Sequence, residues 1–257
     1  MSLLFEHVGK RYQDGTVGLA DVSFEVPAGH FCVILGRSGA GKSTLLRCVN
    51  GLASPSSGRV VVDGVAVTAA TLRQLRPRIG MIHQSFNLAP RASVATNVIA
   101  GALPAVSTGR ALLGLFPKAL RETACALIAD VGLGEEHLQR RVASLSGGQQ
   151  QRVGIARAFM LDPDHVLADE PVASLDPQTS IDILALIRRK AKQRGAAVLC
   201  SLHQIDLAMR FADQIVALRD GQVVFNGTPK ALARQGLAHI YDPGWSEPCS
   251  LREAVGA

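Results

Sequence analysis

The stretch FCVILGRSGAGKST, which runs from Phe31 to Thr44, decides the fold of this chain. Its apolar first part predicts a buried strand, and the residues from Lys42 onward predict a helix. The loop between them fits the pattern G-x-x-x-x-G-K-[ST], whose fixed places are held by Gly36, Gly41, Lys42 and Ser43. Because the pattern lies between a strand and a helix, we expect a phosphate-binding loop and not a chance match in a glycine-rich turn.

Each part of this loop has an expected contact. Gly39 and Gly41 let the backbone bend so that its N–H groups point at phosphate oxygens, and the positive end of the following helix adds to the attraction. Lys42 should reach the β- and γ-phosphates of a nucleotide, and the Ser43 hydroxyl should bind Mg²⁺. The residues predicted to contact the nucleotide in this stretch are Gly36, Arg37, Ser38, Gly39, Ala40, Gly41, Lys42, Ser43 and Thr44.

Length and composition favour one large α/β domain, or one such domain with an insertion. The chain has 257 residues, of which 47% are hydrophobic, so it can bury a substantial core. Its formal net charge of +6 would suit nucleic acid, an anionic membrane face or a nucleotide. No tract is dense enough in Lys and Arg to indicate a nucleic-acid arm. We therefore expect a solvated surface, a phosphate ligand and no nucleic-acid partner.

The cysteines indicate a reducing compartment, because their number is odd and no C-x-x-C pair occurs. Three of them lie in apolar runs, which predicts buried thiols of a cytoplasmic protein and neither disulfides nor a zinc site. The five cysteines are Cys32, Cys48, Cys125, Cys200 and Cys249. The opening MSLLFEHVGKRY does not resemble a signal peptide, and no run approaches the ~20 apolar residues of a membrane helix. Any membrane role is therefore expected to come through a partner.

Strand-like and helix-like stretches alternate along the chain. Residues 3–35 predict antiparallel strands leading into the buried strand, because apolar and polar positions alternate between turn signals. From Phe86 to Leu161 the alternation of apolar and polar positions disappears. Helical stretches such as 117–131 dominate there, separated by a flexible segment near 107–109. The other predicted elements are a strand and turn at 59–64, strands at 79–83, 166–169 and 197–202, a helix at about 177–194, a hairpin at 216–225 and a short helix after Pro229.

This order predicts an α/β nucleotide-binding core with an N-terminal antiparallel β subdomain and an inserted α-helical subdomain. The core and the β subdomain comprise residues 1–85 and 162–241. The helical subdomain comprises residues 86–161. Residues 242–257 form a C-terminal tail.

Three polar or aromatic side chains at strand ends have two possible roles each. Gln84 could bind a metal ion and sense the γ-phosphate, or could be an ordinary surface glutamine. His203 could donate a hydrogen bond to the γ-phosphate as a neutral imidazole, or could be structural. Tyr12 could stack on an adenine, or could simply pack against its neighbours.

Two adjacent carboxylates follow the predicted strand at 166–169. Asp169 ends the strand and is placed to hold Mg²⁺, and Glu170 is the candidate for deprotonating the attacking water. Adjacent residues of a strand face opposite ways, but Pro171 indicates that the chain is already leaving the sheet. Both carboxylates can then face the site, although a structural pair of capping acids is the alternative.

A second helix start suits an anion. In LSGGQQQR, Ser146 is a natural N-cap, and Gly147 and Gly148 allow an anion close to the backbone. An ordinary capped helix would explain Ser146 but not two glycines, which are poor helix formers. Because one nucleotide scarcely needs two such helix ends, we expect the second to serve a nucleotide held by another copy of the chain.

Taken in order, these segments resemble the ATPase subunit of an ABC transporter, over nearly the whole chain up to about Tyr241. GRSGAGKST resembles the Walker A loop, VLADEP the Walker B strand, LSGGQQQR the signature motif and SLD the D-loop. Gln84 matches the Q-loop glutamine, His203 the switch histidine and Tyr12 the aromatic residue that stacks on adenine. The resemblance implies a RecA-like P-loop NTPase core and an ABC-type ATPase that uses ATP and Mg²⁺.

In that family two cassettes sandwich two ATP molecules, and each signature motif faces the phosphate loop of the other subunit. The resemblance therefore implies a homodimer. The residues implied to reach the nucleotide of the second copy are Ser146, Gly147, Gly148 and Gln149, and Asp176 of the D-loop is also implied to bind nucleotide. The residues implied in catalysis are Glu170, His203 and Gln84, and the implied metal ligands are Ser43, Gln84 and Asp169.

A finer resemblance is to the phosphonate-import ATPases, and it rests on QSFNLAPRASVATNV, LLGLFPKAL, LADEPVASLDP, LHQIDLA and DGQVVFNG. It implies a peripheral subunit on the cytoplasmic face of the bacterial inner membrane that couples ATP hydrolysis to uptake of phosphonate, phosphite or a phosphate-like oxyanion. The implied partners are an integral membrane permease and, indirectly, a periplasmic substrate-binding protein. The sequence departs from the pattern at His83, where many importers have an aromatic residue, and beyond Tyr241.

Other functions stay open or leave features unexplained. An ABC importer for another small solute stays open, since selectivity normally lies in the binding protein and the permease. A non-transport ABC ATPase of the DNA-repair type would need a long coiled coil, which the sequence does not have. A P-loop kinase would have no use for the signature motif and His203, and a regulatory nucleotide-binding module would be expected to lack Glu170.

Overall fold

A computed structural model gives the structure of the chain and describes residues 2–235. This range contains ten strands and nine α-helices. The strands are β1 (Leu3–Arg11), β2 (Val17–Val26), β3 (Phe31–Leu35), β4 (Ser57–Val62), β5 (Val65–Ala66), β6 (Ile79–Ile82), β7 (His165–Asp169), β8 (Ala197–Ser201), β9 (Gln214–Arg219) and β10 (Gln222–Gly227). The helices are α1 (Lys42–Val49), α2 (Leu72–Leu75), α3 (Val94–Ile99), α4 (Thr108–Leu112), α5 (Lys118–Asp130), α6 (Gly147–Ala158), α7 (Pro177–Arg194), α8 (Ile205–Phe211) and α9 (Pro229–Gln235). The predicted tail at 242–257 and Cys249 lie outside the described residues.

The first of two compact units comprises the residues up to Leu72 and the described residues from Ala197 onward. Within it, β1 pairs antiparallel with β2 and β4, and β4 pairs antiparallel with β5. Strand β3 lies between β8 and β9 and pairs with both in parallel, while β9 and β10 form an antiparallel hairpin. The predicted N-terminal antiparallel strands and the hairpin near 216–225 are confirmed.

Strand β3 forms the centre of the first unit's core. All five of its residues are buried, as expected of a strand with a parallel neighbour on each side. Between β1 and β2 the rings of Phe5 and Phe24 stack with their centroids 4.4 Å apart. Ile34 of β3 lies opposite Ser201 of β8, so the residues that follow these two strands leave the sheet at the same edge.

Three cysteine thiols contribute to this apolar interior. Cys32, Cys48 and Cys200 are buried, which confirms the prediction for the cysteines in apolar runs, whereas Cys125 on α5 is exposed. Burial raises the pKa of the Cys32 thiol and raises that of Cys48 to about 11. These two thiols are therefore protonated and unreactive at neutral pH.

The second unit, Arg73–Ala196, contains β6, β7 and most of the helices. Strands β6 and β7 pair in parallel, with Ile82 opposite Ala168. Helices α3, α5 and α6 pack against one another, and α6 also packs against α7. The helical stretch predicted at 117–131 is confirmed as α5. The segment predicted to be flexible near 107–109 instead begins the short helix α4, because its backbone closes hydrogen bonds such as Ala111 N–H to Ser107 C=O.

The boundaries between the two compact units lie after Leu72 and after Ala196. The finer subdivision into a core at 1–85 and 162–241 and a helical subdomain at 86–161 stays a prediction. Within residues 2–235, no helix is both long enough and apolar enough to cross a membrane.

Candidate nucleotide-binding site

Helix α1 begins directly after the glycine-rich loop of the first unit. Gly41 is its N-cap residue and adopts φ 102°, a left-handed conformation that favours glycine. Gly39 also has positive φ, at 83°. As a glycine, Gly41 has no side chain with which to cap the helix, and the first turn of α1 contains no acidic residue. The N-terminal N–H groups of α1 therefore suit an anionic ligand.

The loop also borders a cavity of about 300 Å³ within the first unit. The lining residues are Arg37, Ser38, Gly39 and Ala40 from the loop, Leu218 and Arg219 from the end of β9, and Asp220 from the turn that follows. A Cβ atom added to Gly39 would meet no atom within 4 Å, so this side of the loop is open to an approaching group.

Lys42 is buried against its own loop, with a relative exposure of 4%. Its Nζ donates hydrogen bonds to the carbonyl oxygens of Gly36, at 2.8 Å, and Arg37, at 3.2 Å. It also lies 3.4 Å from Nδ1 of His203, the residue that follows β8 by two positions. Because a lysine ammonium only donates, Nδ1 of His203 must be the acceptor. The proton of a neutral His203 ring is then on Nε2.

Tyr12 lies beside the start of α1. Its hydroxyl is 3.0 Å from Oγ1 of Thr44, and Nζ of Lys10 lies 5.3 Å from the centroid of its ring. A Cβ atom added to Gly18 would approach Cε2 of Tyr12 to 2.9 Å, so the absence of a side chain at position 18 makes room for the ring. Sequence reasoning selected Tyr12 but missed Gly18 and Lys10, since neither lies in a recognisable motif.

Two of the predicted Mg²⁺ ligands, a carboxylate and an amide, lie at the ends of paired strands of the second unit. Asp169 is the last residue of β7, and Gln84 follows the end of β6 by two residues. Glu170 adopts φ 46°, an uncommon conformation for a residue other than glycine. Strand alternation therefore ends at Asp169, and the Glu170 side chain is not directed to the opposite face of a continuing strand. This is the local change of direction that Pro171 predicts.

Ser146 caps helix α6 as predicted. Its Oγ accepts a hydrogen bond from the Gln149 N–H at 3.3 Å, and the Ser146 N–H donates to Oε1 of Gln149 at 3.1 Å. These reciprocal bonds form a capping box. Gln149 also places Nε2 within 3.3 Å of Nε2 of His137. The capping box fixes where the helix begins, and Gly147 at its first position is exposed.

The start of α6 lies against the start of α7 within the second unit. A Cβ atom added to Gly148 would lie 3.1 Å from Cγ2 of Thr179, and one added to Gly147 would lie 3.7 Å from Cδ2 of Leu175. Asp176 caps α7 by accepting a hydrogen bond from the Thr179 N–H at 3.0 Å. Hydrogen bonding to Thr179 lowers the pKa of the Asp176 carboxyl below its ordinary value. The structure thus brings the signature glycines and Asp176 to adjacent helix starts.

Arg157, near the end of α6, holds the segment that follows Gln84. Its guanidinium donates to the carbonyl oxygens of Asn87, at 2.6 Å, and Phe86, at 2.9 Å. Both acceptor residues have positive φ, 56° at Phe86 and 50° at Asn87. Burial lowers the pKa of Arg157, although an arginine stays charged at neutral pH. Sequence reasoning missed Arg157, and the signal for it is a lone arginine in the apolar run VGIARAFM.

Arg157→Ala should lower the free energy of unfolding by about 2 kcal/mol, because two carbonyl oxygens lose a charged donor. Amide hydrogen exchange in residues 84–90 should accelerate, because Arg157 binds the carbonyl oxygens of Phe86 and Asn87, two residues in strained left-handed conformations. Arg152→Ala is the matched control, because Arg152 lies on the same helix and donates to Val131 C=O at 2.7 Å. Equal exchange at 84–90 in both variants would exclude the positioning role of Arg157.

A parallel sheet, a glycine-rich loop and a helix whose start suits an anion define the P-loop class of nucleotide-binding proteins. The profile of a protein family described as ABC transporter matches residues 19–173, which is more than half of the chain. The chain belongs to this family. The matched range includes the phosphate loop, Gln84, the signature motif and Glu170, whereas Tyr12 and His203 lie outside it.

Two curated relatives are similar over most of their length. The phosphonates import ATP-binding protein PhnC of Hyphomonas neptunium is 53% identical over 231 residues, which cover 90% of this chain and 88% of the relative. The protein of the same name from Hydrogenovibrio crunogenus is 49% identical over 240 residues, which cover 93% of this chain and 88% of the relative.

Solved structures of cassettes share the fold. A dimeric ATP-binding cassette in a post-hydrolysis state, bound to ADP and Pi, has a TM-score of 0.76 at 31% identity and covers 88% of this chain and 98% of that one. A second solved structure is that of cbiO1 from Clostridium perfringens, part of the ABC transporter complex cbiONQ. It has a TM-score of 0.77 at 28% identity, and the match covers 94% of this chain and 95% of that one. The predicted α/β P-loop architecture is confirmed by these likenesses.

Proposed function

We propose that this chain is the ATP-hydrolysing subunit of a bacterial importer for phosphonates. The observation that supports this most strongly is the 53% identity to a phosphonates import ATP-binding protein over 90% of the chain. Phosphite or a phosphate-like oxyanion is the nearest alternative substrate, because selectivity normally lies in the binding protein and the permease.

In this proposal the residues from Gly36 to Thr44 bind the phosphates of ATP. The N–H groups at the start of α1 face the phosphate oxygens, and Lys42 exchanges its contacts with the carbonyls of Gly36 and Arg37 for contacts with the β- and γ-phosphates. Tyr12 stacks on the adenine from its position over Gly18. His203, with its proton on Nε2, donates to the γ-phosphate.

We assign Mg²⁺ binding to Ser43, Gln84 and Asp169. Their side chains offer hydroxyl, amide and carboxylate oxygens, which is the donor set that this hard cation prefers. Within the described residues no group of three or more His, Cys, Asp or Glu side chains could hold a metal ion alone. In the proposal the Mg²⁺ ion would take its remaining ligands from phosphate oxygens and water. When bound, it neutralises negative charge on the β- and γ-phosphates.

Glu170 is the proposed general base for the attacking water. Its carboxylate would accept the water proton as the oxygen attacks the γ-phosphorus, while the bond to the β-phosphate oxygen breaks and ADP leaves. Glu170 directly follows β7, and its left-handed backbone conformation changes the direction of its side chain from the one that a continuing strand would give. Gln84, held through the neighbouring Phe86 and Asn87 by Arg157, links the γ-phosphate to the helical segment that follows.

We propose further that two copies form a head-to-tail dimer. The signature residues Ser146 to Gln149, together with Asp176, would complete the nucleotide site of the second copy. The cassette bound to ADP and Pi, which is dimeric and 31% identical to this chain, supports this arrangement. A permease in the inner membrane would hold the dimer at the cytoplasmic face, and a periplasmic binding protein would deliver the solute.

Uptake of labelled methylphosphonate by cells tests this function. Cells that lack the chromosomal copy should take up methylphosphonate when the wild-type chain is supplied and fail to do so with Glu170→Gln. Phosphate uptake by the same cells is the control and should not depend on the chain. Restoration of phosphate uptake alone would assign the importer to phosphate, and uptake that is independent of the chain would contradict the proposal.

A further inference from the structure

A short segment at residues 110–118, which we name the leucine loop, exposes three leucine side chains to solvent. Leu112, Leu113 and Leu115 are 83%, 73% and 59% exposed. Single exposed apolar residues are common on proteins, but three within four positions are a dense apolar feature. No predicted nucleotide or metal contact lies in the leucine loop, so the nucleotide site does not account for it.

The backbone of the leucine loop is fixed by its own hydrogen bonds. The Leu115 N–H donates to the Arg110 C=O at 2.8 Å, and the Gly114 N–H donates to the Ala111 C=O at 3.1 Å. Together they form a Schellman motif at the end of α4, and Gly114, with φ 65°, is its left-handed residue. The residue after that glycine frequently packs back on the helix, but here it is the exposed Leu115. An ordered turn thus holds the leucines in solvent.

The charge of this part of the chain is positive throughout. Residues 64–121 contain seven Lys or Arg residues and no Asp or Glu, whereas the whole chain has a net charge of +6. The rest of the sequence therefore sums to −1, and this stretch accounts for the positive excess. Arg110 and Lys118, at the two ends of the leucine loop, are exposed. Glu122 lies 3.5 Å from Lys118, but the pair is too exposed to be strongly coupled.

We propose that the leucine loop binds the surface of an anionic lipid bilayer. Leu112, Leu113 and Leu115 enter the boundary between headgroups and acyl chains, while Arg110 and Lys118 stay among the headgroup phosphates. Apolar side chains flanked by cations are the combination that binds interfacial segments to membranes. The contact is additional to the proposed function, which requires only that a permease hold the cassette at the membrane.

A lipid surface matches the leucine loop better than a macromolecular partner does. A bilayer receives apolar side chains in any arrangement and needs only negative charge, whereas a protein would have to offer a groove shaped to a projecting turn. The phosphates of a nucleic acid would pair with the cations, but the three leucines would have nothing apolar to contact. Protein surfaces that bind single-stranded nucleic acid use aromatic and basic side chains instead. Charge and apolar exposure together therefore favour lipid.

Co-sedimentation of the purified full chain with vesicles tests the proposal. Wild-type protein should bind vesicles of phosphatidylglycerol and phosphatidylcholine and bind pure phosphatidylcholine much less. The triple variant Leu112→Ser/Leu113→Ser/Leu115→Ser should bind at least about ten-fold more weakly, because the apolar contact is lost. Arg110→Gln/Lys118→Gln should weaken binding by about five-fold for each charge and reduce its salt dependence.

Matched variants elsewhere in the chain isolate the leucine loop. Leu52→Ser replaces a leucine that is 65% exposed in the first unit, and Lys230→Gln/Arg234→Gln removes two exposed cations on α9. Both controls should bind vesicles as the wild type does. All of these variants should retain the ATPase rate and the unfolding midpoint of the wild type, because they replace exposed side chains away from the nucleotide site.

Equal binding of the wild-type chain to anionic and neutral vesicles would overturn the proposal. It would also be overturned if Leu52→Ser lost as much vesicle binding as the triple variant does. Unchanged vesicle binding by the triple variant would also overturn it, and if that variant then failed to bind membranes containing the permease, the leucine loop would be a protein contact. Should the triple variant fail to fold, Arg110→Gln/Lys118→Gln decides, because it keeps every leucine. ATP hydrolysis is measured on the same samples. If vesicle binding fails while ATP hydrolysis is retained, the lipid proposal is wrong and the proposed function is not affected.

Discussion

Glu170→Gln is expected to bind ATP as the wild-type chain does and to hydrolyse it at least about 10²-fold more slowly. The substitution keeps the size of the side chain but removes the carboxylate that would accept the proton of the attacking water. In the proposed dimer, ATP-bound pairs of chains should accumulate, because hydrolysis would be the step that allows them to open. Steady-state ATPase rates measure the first effect, and size-exclusion chromatography in the presence of ATP measures the second.

Backbone strain at Glu170 requires its own control. Glutamine retains the unfavourable left-handed conformation at φ 46°, so Glu170→Gln should leave the unfolding midpoint unchanged. Glu170→Gly relieves that strain and should be as inactive as Glu170→Gln, because it also lacks the carboxylate. Glu135→Gln, at an exposed glutamate outside the site, should keep wild-type turnover. Near-normal hydrolysis by Glu170→Gln would show that another group is the base.

Elements with strong local signals at both ends are the ones that the sequence predicts to the residue. Helix α7 occupies 177–194 as predicted, because Asp176 is its N-cap, Pro177 takes its first position and Gly195, with φ 71°, ends it. Helix α6 begins as predicted because Ser146 and Gln149 form a capping box. In both cases the stabilising contacts lie within a few residues of one another, so they can be recognised without the fold.

Contacts between distant parts of the chain could not be predicted in this way. Arg157 binds the carbonyl of a residue 70 positions earlier, and no local pattern connects α6 with the strained pair Phe86 and Asn87. Gly18 matters because Tyr12 lies over it, which depends on the pairing of β1 and β2.

For the candidate site, the sequence indicates the residue types and their order along the chain. It does not reveal that Nζ of Lys42 lies beside His203, because that contact follows from the pairing of β3 with β8. The same contact determines which ring nitrogen of His203 accepts from Lys42. The tautomer of that histidine is therefore a property of the fold and not of the motif.

Lys42→Ala is expected to weaken ATP binding by about ten- to a hundred-fold, because charge-assisted hydrogen bonds to the phosphates are lost. The gross contribution of Lys42 is larger than this, since binding must first release its contacts with the carbonyls of Gly36 and Arg37. Equilibrium titration with a fluorescent ATP analogue measures the affinity. Lys230→Ala, at an exposed lysine of the same unit, should bind ATP normally, and an unchanged affinity in Lys42→Ala would contradict the assignment of the loop.

A mixture of Lys42→Ala and Ser146→Arg chains extends this result to the dimer. Each variant alone should be inactive, since every site in its dimers combines one intact half with one damaged half. In a mixed dimer, the intact loop of the Ser146→Arg chain meets the intact signature motif of the Lys42→Ala chain, so one whole site returns and hydrolysis should reappear. Replacing the Lys42→Ala chain by the double variant Lys42→Ala/Ser146→Arg leaves no whole site and should abolish this recovery. If the first mixture is as inactive as its parents although all chains fold, the signature motif does not act on the nucleotide of a second copy.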